Sequence, residues 1–257
     1  MGHTRLGSLP RTKKWREVVN LLTSQSDLSK VTGAIIDASH KAFSKLSKDD
    51  GLDLTFWLIT QVPLAAKKED FSAALESLDI YAPKNPGIFE TIASFNECVE
   101  RTLRLKGRSS DLAAMALAAA SEGFISIVSE KSEGLFGRTS DEVKRAFASL
   151  SKPYEFEQIS REFFSRFTNR YMNYFLSREL SNHLGKGKRF NDLIDYDNFE
   201  NALTVYCWEV TKIIEDYSRD WYGKSLAEGF TRKKTSGFLY SVFEKIKDEF
   251  KMEDDNG

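Results

Sequence analysis

Histidine, proline and cysteine are all scarce in this chain of 257 residues: three, five and two copies respectively. The cysteines, Cys98 and Cys207, form no CxxC or Cys/His spacing, which argues against a structural zinc site. They read as two reduced thiols buried on helices rather than as a disulfide framework. A di-metal carboxylate centre would need Glu-x-x-His pairs from two helices. Here Glu179 and His183 stand one residue too far apart and have no second copy, so no metal and no cofactor is expected. P-loop, GxGxxG, GxSxG and HExxH motifs are missing as well, which argues against the common nucleotide-binding and hydrolytic classes. Net charge is nearly absent: 37 Lys+Arg face 38 Asp+Glu, a balance unlike a uniformly basic nucleic-acid coat or an acidic tail protein. No apolar run reaches ~18 residues. The first residues lack both an apolar signal core and a myristoylation signal, so the chain is expected in the cytoplasm with no membrane partner.

What is present is ordinary globular material, 41% hydrophobic and 29% charged. No proline follows Pro153, and apolar residues recur every three to four positions. The sequence therefore predicts an all-α protein of about nine or ten helices in one domain. The expected helices are 12–22, 27–46 with Asp27 as cap, one opening at Gly51 that Pro63 kinks or ends, 70–78, 88–105, 112–131, 140–150, 155–182, 198–221 and 232–251. The alanine-rich helix 112–131 reads as central, because small side chains let backbones approach. In helix 155–182, Phe156, Ile159, Phe163, Phe167, Tyr171, Tyr174 and Phe175 form an aromatic stripe. That stripe reads as core, with a ligand cleft as the alternative. Segment 81–87, with two prolines and a glycine, is the strongest breaker and marks a loop or a boundary between two lobes. Residues 1–11 read as an extended arm and 252–257 as a frayed tail.

Three basic clusters are candidate anion or nucleic-acid sites. The first sixteen residues carry Arg5, Arg11, Lys13, Lys14 and Arg16 without an acid. Lys186, Lys188 and Arg189 alternate with glycines, and replacing all three is expected to cost no more than about 0.5 kcal/mol. Arg232, Lys233 and Lys234 fall at a helix N-terminus, where the macrodipole disfavours cations, which suggests an anionic partner. If two clusters adjoin in space, a surface for RNA, DNA or an acidic protein follows. In the arm, Arg5, Leu6, Leu9 and Arg11 could either dock into a partner's groove or lie across the chain's own core.

One phrase has catalytic grammar: Arg178-Glu-Leu-Ser-Asn-His183 is similar to the Arg-x(4–6)-His motif of the HEPN ribonucleases, which are also all-helical. That resemblance implies His183 as acid/base and Arg178 as the cation on the scissile phosphate. The competing reading makes His183 a helix C-terminal residue whose protonated form stabilises the exposed carbonyls. On balance the sequence reads as a non-enzymatic helical adaptor or regulatory subunit that acts by binding a protein partner or a second copy of itself. Such a subunit suits a bacterial multi-gene system such as phage defence. The ribonuclease and a nucleic-acid-binding accessory subunit are the alternatives.

Overall fold

The computed structural model describes residues 4–5, 13–24, 26–38, 46–132 and 139–255, with the side chains of residue 178 and of 251–255 left aside. Among these, helices α1 Lys13–Thr23, α2 Leu28–Ala38, α3 Asp50–Ala66, α4 Phe71–Glu76, α5 Ile88–Lys106, α6 Asp111–Lys131, α7 Ser140–Ser149, α8 Pro153–Leu180, α9 Leu193–Val210, α10 Ile214–Glu228 and α11 Arg232–Asp255 follow one another. Two isolated bridges, Thr4 with Ser110 and Leu184 with Phe190, are the only strand-like pairings described. The protein is all-α, and the described residues form ten helices of ten or more residues and the short α4.

Polar side chains cap five of the described helix starts. Asp49, Asp70, Ser110, Thr139 and Asp192 each accept backbone N–H groups that have no partner inside their own helix. Thr139 caps α7, in a capping box with Glu142. Gly107 closes α5 in the left-handed region at φ 65°, and Pro153 opens α8 at a first-turn position that has no N–H partner to lose.

Three boundaries differ from the sequence reading. Pro63 does not end α3; it lies inside the last turn, and the helix runs three residues further. The second expected helix is described as far as Ala38; residues 39–45, with Phe43, lie outside the described residues, as do Gly134 and Gly137. The single helix expected over 198–221 is two helices with a 3₁₀ turn at Thr211–Ile213 between them. There Thr211 Oγ1 bonds back to the carbonyls of Cys207 and Trp208, and Arg161 also takes Trp208 O. Finally, α11 continues to Asp255, through most of the segment expected to fray.

The aromatic stripe of α8 is core. Phe156, Ile159, Phe163, Phe167, Tyr171 and Phe175 are buried, and Tyr174 turns its hydroxyl to donate to Asp111. Phe56 of α3 sits at the centre, with ring centroids 5.2–6.4 Å from Phe156, Phe163, Phe164, Trp221 and Phe238. Burying each such ring is worth about 1.5–3 kcal/mol. Ala113, Ala116, Ala119 and Ala120 of α6 are buried against neighbouring helices, as the alanine run predicts. Gly51 of α3 crosses so close to Ala113 that a Cβ there would lie 2.2 Å from the alanine methyl. Among the described helices α6 alone has the length and mean hydropathy, 1.7, of a membrane span, and 56% of that window is buried inside the fold.

Candidate partner-binding groove

α8 is aromatic on its inner side, and its other side carries Glu162, Ser165, Arg166, Asn169, Arg170 and Asn173 at spacings of three and four. α6 and α9 both pack along α8, and this polar strip floors the valley between them, a cleft of about 490 Å³. Glu122 of α6 crosses the floor: it accepts from Arg166 Nη1 at 3.4 Å and, through its other oxygen, from Arg170 Nη2. Arg166 Nε also donates to Glu162 at 2.7 Å. From the far side, Asn169 Nδ2 donates to Thr204 Oγ1 of α9 at 3.2 Å, and Asn173 donates to Asn169 at 3.1 Å. The two arginines and two glutamates cancel, so the floor is neutral. Each pair is partly exposed and contributes about 0–1 kcal/mol.

The α9 wall differs in character. Its inner face buries Phe199, Leu203, Cys207 and Val210, and the Cys207 thiol is pushed up to about 12 by that burial. Its outer face leaves Leu193, Ile194 and Val205 65%, 69% and 61% exposed. Trp208 closes the cleft at one end beneath the Arg161 guanidinium, 3.9 Å from its ring centroid. Among the described residues no three His, Cys, Asp or Glu side chains converge as metal ligands.

The predicted basic clusters divide between the two ends of α8. Arg189 is half-buried and donates to the carbonyls of Leu21, Leu22 and Ser26 at 2.9–3.4 Å, so it caps the C-terminus of α1. This corrects its reading as a free surface cation: including it in a triple replacement would uncap a helix and cost stability. Lys188 Nζ donates to Asn182 O, and Lys186 is exposed. At the other end, Arg232 pairs with Asp53 and Lys234 with Glu228 at 3.0 Å, while Lys233 is exposed. The anionic partner that the 232–234 cluster calls for is thus supplied within the chain for two of its three members. Phe230 packs on Tyr222, which stacks on Phe156 in the first turn of α8, whereas loop 186–189 follows its last turn. The 28 residues of α8 put these clusters about 40 Å apart.

The N-terminal cluster joins the 186–189 end instead. Trp15, between Lys14 and Arg16, donates to Glu179 at 3.4 Å. Arg5 is exposed beside Thr4, which exchanges backbone hydrogen bonds with Ser109 and Asp111. Leu6, Leu9 and Arg11 lie outside the described residues, as does the Arg178 side chain.

Burial pushes the His183 imidazole below its ordinary value of 6.5; Glu179 opposes the shift, and Arg189 and Lys188 add to it. This reverses the expected sign. The folded chain resists protonating His183, so its contribution is full above pH 6.5 and is lost as the pH falls through the lowered folded value. In His183→Gln, the slope of stability against pH below 6.5 is expected to be shallower than in the parent, measured by urea unfolding from pH 7.5 to 5. A steeper slope would mean that the protonated form is the stabilising one.

No protein-family model, curated protein or solved structure matches this chain. The polar strip on α8 was legible as the complement of the aromatic stripe, about two residues out of phase with it. The outward face of α9 was not, because exposed and buried apolar residues look alike in sequence.

Proposed function

We propose that the protein is a binding subunit whose protein partner seats in the groove over α8, against the outer face of α9. The observation that supports this reading is the α9 helix itself. Its outer face is otherwise polar, with Asn198, Asn201 and Glu209 exposed, yet Leu193, Ile194 and Val205 stand among them in solvent, and Val205 lines the cleft beside Trp208. A small-molecule site is a poorer match, since such pockets are enclosed and mostly apolar, and Glu122 already neutralises both arginines on this floor.

Ile194→Ser with Val205→Ser tests the reading. Both side chains are exposed, so stability is expected to stay within about 0.5 kcal/mol of the parent. Partner recovered on the parent from its native host is expected to fall at least about tenfold on the variant, as when an interface anchor is lost. Equal recovery on both proteins would move the interface elsewhere.

A second reading rests on the other end of α8. Burial lowers the His183 pKa, the direction that favours the unprotonated imidazole a general base needs, and Lys188 and the N-terminal basic cluster lie at the same helix end. Chelator-resistant RNA cleavage by the parent, lost in His183→Ala, would establish a metal-independent ribonuclease there.

A further inference from the structure

We infer that the two polar contacts latching α1 to the end of α8 meet at His183, so that a proton on this imidazole loosens the C-terminal turn of α1. The first contact is Trp15 Nε1, which donates to Glu179 Oε1 at 3.4 Å while its ring lies 6.1 Å from that of Phe175. The second is the Arg189 guanidinium at the other end of α1. It donates to the carbonyls of Leu21 and Leu22 at 3.3 and 3.4 Å and to Ser26 O at 2.9 Å. Carbonyls at a helix C-terminus have no partner inside the helix, so a cation from elsewhere in the chain is a strong cap for them.

His183 stands between the two. It ends the 3₁₀ turn that continues α8, one turn beyond Glu179. Its carbonyl accepts from Phe190 N–H at 3.0 Å, and Gly185 N–H donates to Phe190 O at 2.8 Å. Those bonds close the loop and hold Arg189 next to the residue that faces His183. Among the described residues, the charged groups acting on the half-buried imidazole are Glu179 from α8 and Lys188 and Arg189 from the loop. Lys188 Nζ is tied to Asn182 O, and Asp27, ahead of α2, attracts Arg189. The inward side of α1 is uncharged, with Trp15, Val18 and Leu22 buried.

A proton acts on both contacts in one direction. The imidazolium repels the Arg189 guanidinium from beside the α1 carbonyls, and it attracts Glu179, in competition with the Trp15 N–H. Conversely, opening this end of α1 lets Arg189 turn to water and frees Glu179 for the imidazolium. The open form therefore takes the proton more readily, and by linkage the proton favours the open form. Burial and the two cations hold the imidazole below its ordinary value, so the closed form is complete above pH 6.5 and opens as the pH falls through the lowered value. The buried Trp15, Val18 and Leu22 keep α1 in the fold, so it frays from its C-terminus rather than leaving.

The test is hydrogen exchange of the full chain, read by mass spectrometry on peptides covering residues 13–24. It is run at pH 7.5 and at one unit below the His183 midpoint, which ring-proton NMR shifts locate by comparison with His183→Gln. After correction for the intrinsic pH dependence of exchange, opening of this segment is expected to rise about threefold or more on acidification, with α3 and α6 unchanged. In His183→Gln the rise is expected to stay under about 1.5-fold. Arg189→Gln removes the cap at every pH, so its exchange at pH 7.5 is expected to be at least as fast as that of the acidified parent. No rise in the parent, or an equal rise in His183→Gln, overturns the inference. So does a rise shared equally by α3 and α6, which would mean that the proton acts on the whole fold and not on α1.

Discussion

Gly51→Ala is expected to destabilise the protein by about 3 kcal/mol, read as a shift in the urea midpoint with an unchanged slope. The added Cβ would stand 2.2 Å from Ala113 Cβ and 3.0 Å from both Ala113 Cα and Leu103 Cδ1. Ordinary carbon contacts lie at about 3.5–4.0 Å, and Ala113 Cβ is fixed to backbone, so α3 and α6 would have to separate. Their starts are also tied together: Asp49 caps α3 and accepts from Ser110 Oγ at 2.7 Å, while Ser110 caps α6. Separating the helices strains both caps. Gly237→Ala is the control, because a Cβ there meets nothing within 4 Å and the residue itself is exposed on the outer side of α11. That change is expected to stabilise by about 0.5–1 kcal/mol. The same chemical change should therefore act with opposite signs at the two sites; a destabilisation under about 1 kcal/mol at Gly51 would show the crossing to be compliant.

Arg161→Met is expected to cost about 2–3 kcal/mol. The guanidinium is 8% exposed as a residue, donates twice to Trp208 O, pairs with Glu215 at 2.5 Å and stacks on the Trp208 ring. It thereby pins the last turn of α9, the 3₁₀ turn and the first turn of α10 to α8. Glu215 retains partial contact with water, which keeps the loss below that of a fully buried pair. Hydrogen exchange is expected to quicken around residues 205–218 and to remain as in the parent across α3 and α6. Once Arg161 is replaced, Glu215→Gln is expected to change stability by less than about 0.5 kcal/mol, since the two residues act on one contact. A full additive loss would place Glu215's contribution elsewhere.

These two residues show what was legible in the sequence and what was not. Caps announce themselves locally: Asp70, Ser110 and the pair Thr139 and Glu142 lie next to the N–H groups they serve. The aromatic stripe of α8 and the alanine run of α6 carry their burial in their spacing. The break between α9 and α10 has no such local mark, because one of the groups holding Trp208 O comes from Arg161, on another helix. Arg189 is the same case in reverse. Among glycines and lysines it reads as a solvated cation, yet its donors serve carbonyls contributed from the start of the chain. A cation's sequence neighbours say nothing about whether water or a helix terminus faces it. Of the two expectations for Pro63, a kink or an end, the end is not met: α3 runs three residues past it, although a proline there leaves the carbonyl of Ile59 without its usual i+4 donor. The candidate groove was half legible, since the polar strip on α8 has a helical period, but that no described helix covers the outer face of α9 is visible only in three dimensions.

The position of Phe56 also governs the order in which this protein can become itself during synthesis. Its ring is enclosed by residues from α8, α10 and α11, the last of them Phe238. A nascent chain therefore carries Phe56 without its native enclosure until Phe238 has left the ribosome, and any C-terminal truncation before that point leaves the central cluster incomplete. Such products should be prone to aggregation or degradation rather than behave as smaller working versions of the protein.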